Sequence, residues 1–133
     1  MESDVIELRG VWKIFGDRAQ EALAAVRSEN LSKAEILERF DCVVGVVDAS
    51  FNVHRGEIFC VMGLSGSGKS TLVRHINRLL EPTAGKVMID GIDVMALGSK
   101  ELQDFRNHKI AMVFQNFALL PHWSVLDLSL IHI

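Results

Sequence analysis

Nine consecutive residues have the types and spacing of a loop that binds the phosphates of a nucleotide. They fit the pattern G-x-x-x-x-G-K-[ST]. The candidate ligand-binding residues are Gly63, Leu64, Ser65, Gly66, Ser67, Gly68, Lys69, Ser70 and Thr71. Gly63, Gly66 and Gly68 allow the backbone to adopt positive φ and to approach a ligand without a Cβ in the way. Successive backbone N–H groups can then point at an anion.

Two side chains of this loop have chemistry of their own. Lys69 is expected to reach the β- and γ-phosphate oxygens as a catalytic cation, and the Ser70 hydroxyl is expected to bind Mg²⁺. A helix that begins near Lys69 adds its positive end to the site. The alternative is a chance Gly/Ser-rich turn. At average composition, four fixed positions match by accident in roughly one chain of this length in two hundred, so the pattern favours nucleotide binding.

The flanking segments have the order that this chemistry requires. Residues 57–62 form a short apolar run typical of a buried parallel strand. After the loop, apolar residues recur at helical spacing and predict a helix that Pro82 ends. The inward side chains are expected to be Leu72, Val73, Ile76, Leu79 and Leu80. The outward side chains are expected to be Arg74, His75, Asn77 and Arg78.

Length and composition limit the possible classes of protein. The chain has 133 residues, which is one domain at most or part of one, and its 49% apolar content is ordinary for a globular core. A net charge of −3 provides no basic surface for nucleic acid. No apolar run approaches the ~18 residues of a membrane span, and the acidic start is unlike a signal peptide. Cys42 and Cys60 are expected to be reduced core residues of a cytosolic protein.

Before the loop, two strands are predicted with two helices between them. Residues 5–8 and 11–15 predict one strand with a break or bulge at Gly10. Asn30 is expected to end the first helix, and Ser32 with Glu35 forms a capping box for a second helix that runs to about Phe40. Residues 17–41 therefore read as a helical insertion, and a solvated decoration without chemistry is the favoured interpretation. Residues 43–53 predict the next strand.

After the loop, a hairpin, a helix and a strand are predicted. Residues 86–94 form the hairpin around Asp90-Gly91, which we prefer to a strand that ends in a metal-binding aspartate. Ser99 is a good N-cap for a helix over residues 100–107. Residues 110–114 predict a second buried strand with Gln115 at its carboxyl end, where ligands of open α/β sheets bind.

Taken together, the order of these motifs resembles the ATP-binding subunit of ABC transporters, with a closer similarity to importers of glycine betaine, proline and other quaternary amines. The resemblance covers residues 4–127 and rests on the loop, the Ile-Asp-Gly-Ile-Asp hairpin, Ile-Ala-Met-Val-Phe-Gln at 110–115 and Leu-Leu-Pro-His-Trp at 119–123. It implies an α/β fold: a P-loop NTPase (RecA-like) core with an N-terminal antiparallel β subdomain and a helical insertion, truncated after the Q-loop.

The resemblance also implies a role for several residues. Phe15 occupies the position of the aromatic residue that stacks on the adenine of ATP. Gln115 corresponds to the Q-loop glutamine, which approaches Mg²⁺ and the attacking water. The region Phe117–Trp123 corresponds to the surface that receives a transmembrane permease subunit. The implied partners are a second ATP-binding subunit, that permease and, indirectly, a substrate-binding protein, at the cytoplasmic face of the inner membrane.

The resemblance is incomplete at its carboxyl end. No Leu-Ser-Gly-Gly-Gln signature, Walker B strand or switch histidine follows in these 133 residues, so the fragment itself is expected to be inactive and at most to bind nucleotide. Residues 128–133 can be written as CTG TCT CTT ATA CAC ATC, a transposon end used in sequencing libraries. We therefore expect them to be a non-native tail, with a natural apolar terminus as the alternative.

Two other functions fit the motifs less well. One is an ABC ATPase of another importer branch, such as that for amino acids, because the transported solute is chosen by other subunits. The other is a stand-alone P-loop kinase or GTPase. A kinase should lack the block that ends in Gln115, and a GTPase needs an Asn-Lys-x-Asp motif, which the sequence does not contain.

Overall fold

The computed structural model describes residues 4–114, Ser124 and Leu126. The chain divides into two compact units, Met1–Leu97 and Gly98–Ile133, which are described separately. In the first unit, a four-stranded antiparallel sheet has the order β2-β1-β3-β4. Its strands are β1 (Asp4–Phe15), β2 (Val43–His54), β3 (Ala84–Ile89) and β4 (Ile92–Asp93). Its helices are α1 (Ala19–Glu29), α2 (Lys33–Phe40) and α3 (Lys69–Ile76), with a short 3-10 turn at Val94–Ala96.

The predicted irregularity of β1 is confirmed at Gly10. Its φ is +58°, and the register of β1 shifts between Leu8 and Val11 against β2. The shift against β3 lies between Arg9 and Trp12. The Gly10 N–H donates to the Ser50 hydroxyl at 2.8 Å, so the break in the ladder leaves this donor satisfied.

The two helices between β1 and β2 form as predicted. Asn30 ends α1 in the left-handed conformation, with φ +54°. At the start of α2, the Glu35 N–H donates to the Ser32 hydroxyl at 3.2 Å, and the Ser32 N–H donates to the Glu35 carboxylate at 2.9 Å. The helices are more than a solvated decoration, because they bury one apolar cluster against the sheet. Its members are Ile14, Ala22, Leu23, Ile36, Phe40, Cys42 and Val44.

The Asp90-Gly91 hairpin is confirmed. Both residues have positive φ (+51° and +77°), as a type I′ turn requires. The Asp90 carboxylate accepts a hydrogen bond from Arg55 at 2.9 Å. Asp90 is thus a turn residue that connects the end of β3 to the turn after β2. The structure does not support the alternative interpretation of Asp90 as a metal-binding aspartate.

The predicted buried strand over residues 57–62 is wrong for this structure. The segment has no regular secondary structure and no strand pairing, and Ile58 and Met62 are 90% and 88% exposed. Cys60 is exposed too, so of the two cysteines only Cys42 is a core residue. The physical reason is that a parallel strand is stabilised by neighbours on both sides. Among residues 4–114, no strand pairs with this segment.

The inward face of α3 is also not the predicted one. His75 is completely buried and Asn77 nearly so, whereas Val73 and Leu79 are exposed. The helix ends at Ile76, where Asn77 is the C-cap and Arg78 has φ +57°, well before Pro82. Packing explains the reversal: α3 contacts β2 and β3, while its apolar face turns toward the unpaired segment 57–62 and stays partly open.

In the second unit, α4 spans Ser99–His108. Its N-cap is Gly98 and not Ser99, because the Leu102 N–H donates to the Gly98 carbonyl at 2.8 Å and closes the first turn. Phe105 is buried as predicted, and Leu102 is half-buried. Residues 110–114 do not form the predicted strand, and Val113 is 97% exposed. The explanation is again that no strand of the described chain pairs with them.

None of the described helices is long and apolar enough to span a bilayer. Over the same residues, no three His, Cys, Asp or Glu side chains group closely enough to hold a metal ion.

Candidate nucleotide-binding site

The loop at 63–71 connects segment 57–62 to the first turn of α3. The Ser67 N–H donates to the Leu64 carbonyl at 3.1 Å and closes a turn around Ser65 and Gly66. Gly66 has φ +80° and Gly68 has φ +98°, so two of the three predicted positive-φ glycines are confirmed. Gly63 does not have positive φ, and its glycine requirement has another cause.

Close approach explains both Gly63 and Gly68. A Cβ at Gly63 would lie 2.5 Å from the Ser67 hydroxyl oxygen, inside the turn of the loop. A Cβ at Gly68 would collide with the carbonyl oxygen of Gly45 on β2. The loop is therefore wound tightly on itself and pressed against β2. Both are conditions for bringing backbone N–H groups to a phosphate.

Lys69 spans the loop from its end back to its beginning. The Lys69 ammonium donates to the carbonyl of Gly63 at 2.6 Å and to that of Leu64 at 2.8 Å. Both acceptors are neutral and at the surface, so phosphate oxygens, which form stronger charge-assisted hydrogen bonds, can replace them. The cation is thus held where the loop closes, which fits the predicted role of Lys69.

The first turn of α3 provides the remaining loop residues. The Leu72 N–H donates to the Gly68 carbonyl at 2.8 Å, so the helix begins directly behind the loop. The Ser70 hydroxyl lies exposed on this first turn, at the positive end of the helix dipole. A hydroxyl oxygen is a suitable Mg²⁺ ligand. Gln115, the second predicted ligand, and the predicted permease-binding region Phe117–Trp123 lie outside the described residues.

The loop opens on a cleft of about 370 Å³. One wall is formed by β2 and another by the end of the segment that precedes the loop. The lining residues include Gly45, Val47, Met62, Ser67, Gly68, Lys69 and, from α2, Lys33. The charged groups among the lining residues are the two lysines, so the cleft is suited to an anion.

Phe15 is connected to the loop through Gly45. It is the last residue of β1 and is 37% exposed. A Cβ at Gly45 would lie 2.8 Å from the Phe15 ring and 3.1 Å from the Thr71 methyl group, so both side chains press on this glycine. The Lys13 ammonium lies 5.1 Å from the centre of the same ring. Phe15 therefore stands at the edge of the site with part of its ring accessible for stacking.

Sequence reasoning missed Gly45, Lys33 and Lys13. The position of Gly45 was the available signal, because a glycine inside a strand pattern often marks a close approach of two backbones. Lys33 belongs to the helical insertion, which is far from the loop in sequence. Only the fold brings it to the cleft.

His75 lies behind the loop, on the same helix. Its Nδ1 is 2.7 Å from the Thr71 carbonyl oxygen and therefore carries the proton. Its Nε2 is buried without a hydrogen-bond partner among the described residues. Burial away from water lowers the pKa of His75, and the nearby Lys13 ammonium lowers it further, although two backbone hydrogen bonds act in the opposite direction. The ring is consequently held neutral.

The site combines a tightly wound glycine loop before a helix, a lysine that closes this loop, and a cleft lined by two cations. These features define the class of phosphate-loop proteins. Within that class the family is specific. The ABC transporter family model matches residues 46–128, more than half of the chain, and the chain belongs to this family.

Curated relatives agree with this assignment. The chain is 52% identical over 122 residues to "Glycine betaine/proline betaine transport system ATP-binding protein ProV" of Escherichia coli, and 48% identical over 122 residues to "Glycine betaine transport ATP-binding protein OpuAA" of Bacillus subtilis. Each alignment covers 92% of this chain but only 30% and 29% of the relative. The chain therefore spans about a third of the length of the curated relatives it matches.

Solved structures show the same fold. The "Dimeric structure of a post-hydrolysis state of the ATP-binding cassette MJ0796 bound to ADP and Pi" superposes with a TM-score of 0.68 at 30% identity. The alignment covers 92% of this chain and 44% of the MJ0796 chain. The four-stranded antiparallel sheet and its helices thus belong to an ABC ATPase cassette.

Proposed function

We propose that this chain is the nucleotide-binding part of an ABC ATPase that energises import of glycine betaine, proline or a related quaternary amine. The observation that carries the ATP-binding role is the loop at 63–71, with Lys69 closing it and Gly68 pressed against Gly45. The importer branch is supported by the names of relatives such as ProV and OpuAA.

Different residues of the chain bind different parts of the nucleotide. Lys69 and the loop N–H groups hold the β- and γ-phosphates, and Phe15 stacks on the adenine. Base stacking of this kind contributes about 1–3 kcal/mol. Ser70 and Gln115 would hold Mg²⁺, which neutralises phosphate charge when it is bound. In the whole protein the reaction is in-line attack of water on the γ-phosphate.

Assembly with other subunits is part of the proposal. A second ATP-binding subunit completes the site, and the solved MJ0796 cassettes are dimeric. The region Phe117–Trp123 contacts a transmembrane permease, and a substrate-binding protein acts through that permease. This places the protein at the cytoplasmic face of the inner membrane, as a peripheral subunit.

A second candidate is an amino-acid importer. The chain is 49% identical over 102 residues to "Methionine import ATP-binding protein MetN" of Desulfitobacterium hafniense. That alignment covers 77% of the chain, against 92% for ProV, so the longer match favours the quaternary-amine branch. Deleting the gene in its source organism and measuring uptake of labelled glycine betaine and methionine separates the two. Loss of methionine uptake alone would reverse the choice.

Nucleotide binding is tested by titrating the purified protein with a fluorescent ATP analogue and Mg²⁺. We expect saturable binding that Lys69→Ala weakens roughly 10- to 100-fold, because the variant removes charged hydrogen bonds of about 1.5–3 kcal/mol. The control is Lys86→Ala, an exposed lysine on β3. Equal affinity of Lys69→Ala and wild type would refute the site. Turnover by these 133 residues is expected to be absent, so hydrolysis that Lys69→Ala abolishes would refute that expectation.

A further inference from the structure

The helical pair at 17–41 contributes Lys33 to the lining of the nucleotide cleft. Lys33, the first residue of α2, lines the same cleft as Lys69, Ser67 and Gly68. We propose that Lys33 contacts the phosphates of the bound nucleotide, so that the insertion contributes directly to the affinity for ATP. This inference rests on the proposed function of the loop.

The backbone around Lys33 is fixed while its side chain is exposed to solvent. Ser32 and Glu35 form the capping box that begins α2, and Ile36 is buried in the apolar cluster with β1 and β2. Because the backbone of this turn is already ordered, only the side chain of Lys33 loses conformational entropy when a ligand binds. The backbone position of Lys33 at the cleft is therefore fixed in advance.

Within the described part of the chain, no acidic side chain pairs with Lys33. Of the other basic residues on the helical pair, Arg18 pairs with Glu21, Arg39 pairs with Glu29, and Arg27 lies over the Trp12 ring. Two lysines thus line one cleft, and none of its described lining residues is acidic. A polyanion bound in this cleft would be attracted by both positive charges.

Lys33 also conflicts with the helix that carries it. The first turn of a helix favours negative side chains, because the unsatisfied N–H groups there carry positive partial charge. A lysine at this position is locally unfavourable. The Glu35 carboxylate of the capping box offsets the helix end, but not the positive charge that Lys33 adds to it. Residues that break a local rule are expected at functional sites, and a bound phosphate next to Lys33 would compensate the lysine.

The test compares the affinity for Mg²⁺–ATP of wild type, Lys33→Gln and Lys33→Glu. We expect Lys33→Gln to weaken binding by about 3- to 5-fold, the upper part of the range for an exposed ion pair. Lys33→Glu should weaken it more. The loss should be smaller for AMP, which has one phosphate, and should shrink between about 50 and 500 mM salt, because salt screens exposed charges. Lys86→Gln is the matched control.

The thermal melt supplies a readout that a merely structural role would not move in this direction. Lys33→Glu places a favourable charge at the helix start, so its melting temperature should equal or exceed that of wild type while its affinity falls. If wild type binds, Lys69→Ala binds roughly 10- to 100-fold more weakly, and both Lys33 variants bind like Lys86→Gln, the inference is overturned and the proposed function stands. If wild type does not bind Mg²⁺–ATP, both are overturned.

Discussion

Two regions of the first unit differ in how they bury their apolar residues. The antiparallel sheet with α1 and α2 encloses side chains such as Val11, Ala22 and Cys42 completely. The segment before the nucleotide loop is equally apolar, yet Ile58 and Met62 are almost fully exposed. The two regions do not differ in apolar content. They differ in whether their segments pair with neighbouring strands, and this decides how far their apolar side chains are buried.

This difference assigns stability and function to different regions. β1 pairs with β2 on one side and β3 on the other, and the helical pair covers one face. The contacts of segment 57–62 include the Phe51–Phe59 ring stack, at 4.7 Å, the Glu57 N–H that donates to the His54 carbonyl, and the partly open face of α3, but most of its side chains stay exposed. Regions with few buried contacts open at low free-energy cost. The nucleotide loop therefore stands on the less stable region.

The largest expected effect compares one isoleucine from each region. Ile36→Ala removes a side chain that is 2% exposed within the helical cluster, and should lower the free energy of unfolding by about 2–5 kcal/mol. Ile58→Ala, at 90% exposure, should change it by less than about 0.5 kcal/mol. Urea denaturation followed by circular dichroism measures both. Similar losses of stability in the two variants would show that segment 57–62 is packed in solution. They would contradict the difference in burial between the two regions.

The next effect tests the contact between the loop and β2. Gly68→Ala and Gly56→Ala both place a Cβ at positive φ (+98° and +80°), but only the Cβ at position 68 meets a neighbour, the Gly45 carbonyl. We expect Gly68→Ala to cost about 1–3 kcal/mol more than Gly56→Ala, the usual range for overpacking. It should also abolish binding of the ATP analogue, which Gly56→Ala should not affect. Equal costs would mean that the loop is free to move away from β2.

The elements that were predictable from the sequence are those specified by their own residues. Gly10, Asn30 and the Asp90-Gly91 pair have conformational preferences that act within a few residues, and each lies where it was predicted. The capping box of Ser32 and Glu35 is local in the same sense. The positive φ of Gly66 and Gly68 was predictable for the same reason, because the residues of this loop act within nine positions.

The predictions that failed depended on partners distant in the chain. Segments 57–62 and 110–114 have the composition of buried strands, but composition does not supply the neighbouring strand. The orientation of α3 failed because the sheet, and not the apolar periodicity, decides which face is covered, and His75 is buried as a result. Gly45 and Lys33 reach the site only through the fold.

A smaller effect is expected from the cap that anchors the insertion. Ser32→Ala removes the acceptor of the Glu35 N–H and should lower the free energy of unfolding by about 1 kcal/mol. The control is Ser28→Ala, whose hydroxyl donates to a carbonyl inside α1 and caps nothing. Chemical denaturation resolves the difference. If the two variants are equally stable, the helical pair is not part of the cooperative unit that contains the sheet.

The smallest effect concerns pH and the buried histidine behind the loop. Because burial lowers the pKa of His75, the folded chain binds fewer protons than the unfolded chain between the folded pKa and about 6.5, the ordinary value. Stability should therefore rise with pH across this window and fall as pH drops below about 6.5, until the loss is complete below the folded pKa. The effect is modest because the hydrogen bonds to the Thr71 and Leu72 backbones offset part of the desolvation. His75→Leu should reduce this pH dependence, whereas His108→Gln, at an exposed histidine of α4, should preserve it. Denaturant midpoints of the three proteins are measured from about pH 5 to 8, a range of about one unit or more on either side of the ordinary histidine pKa. If the midpoint of His75→Leu changes with pH as steeply as that of wild type, the pH dependence belongs to other groups.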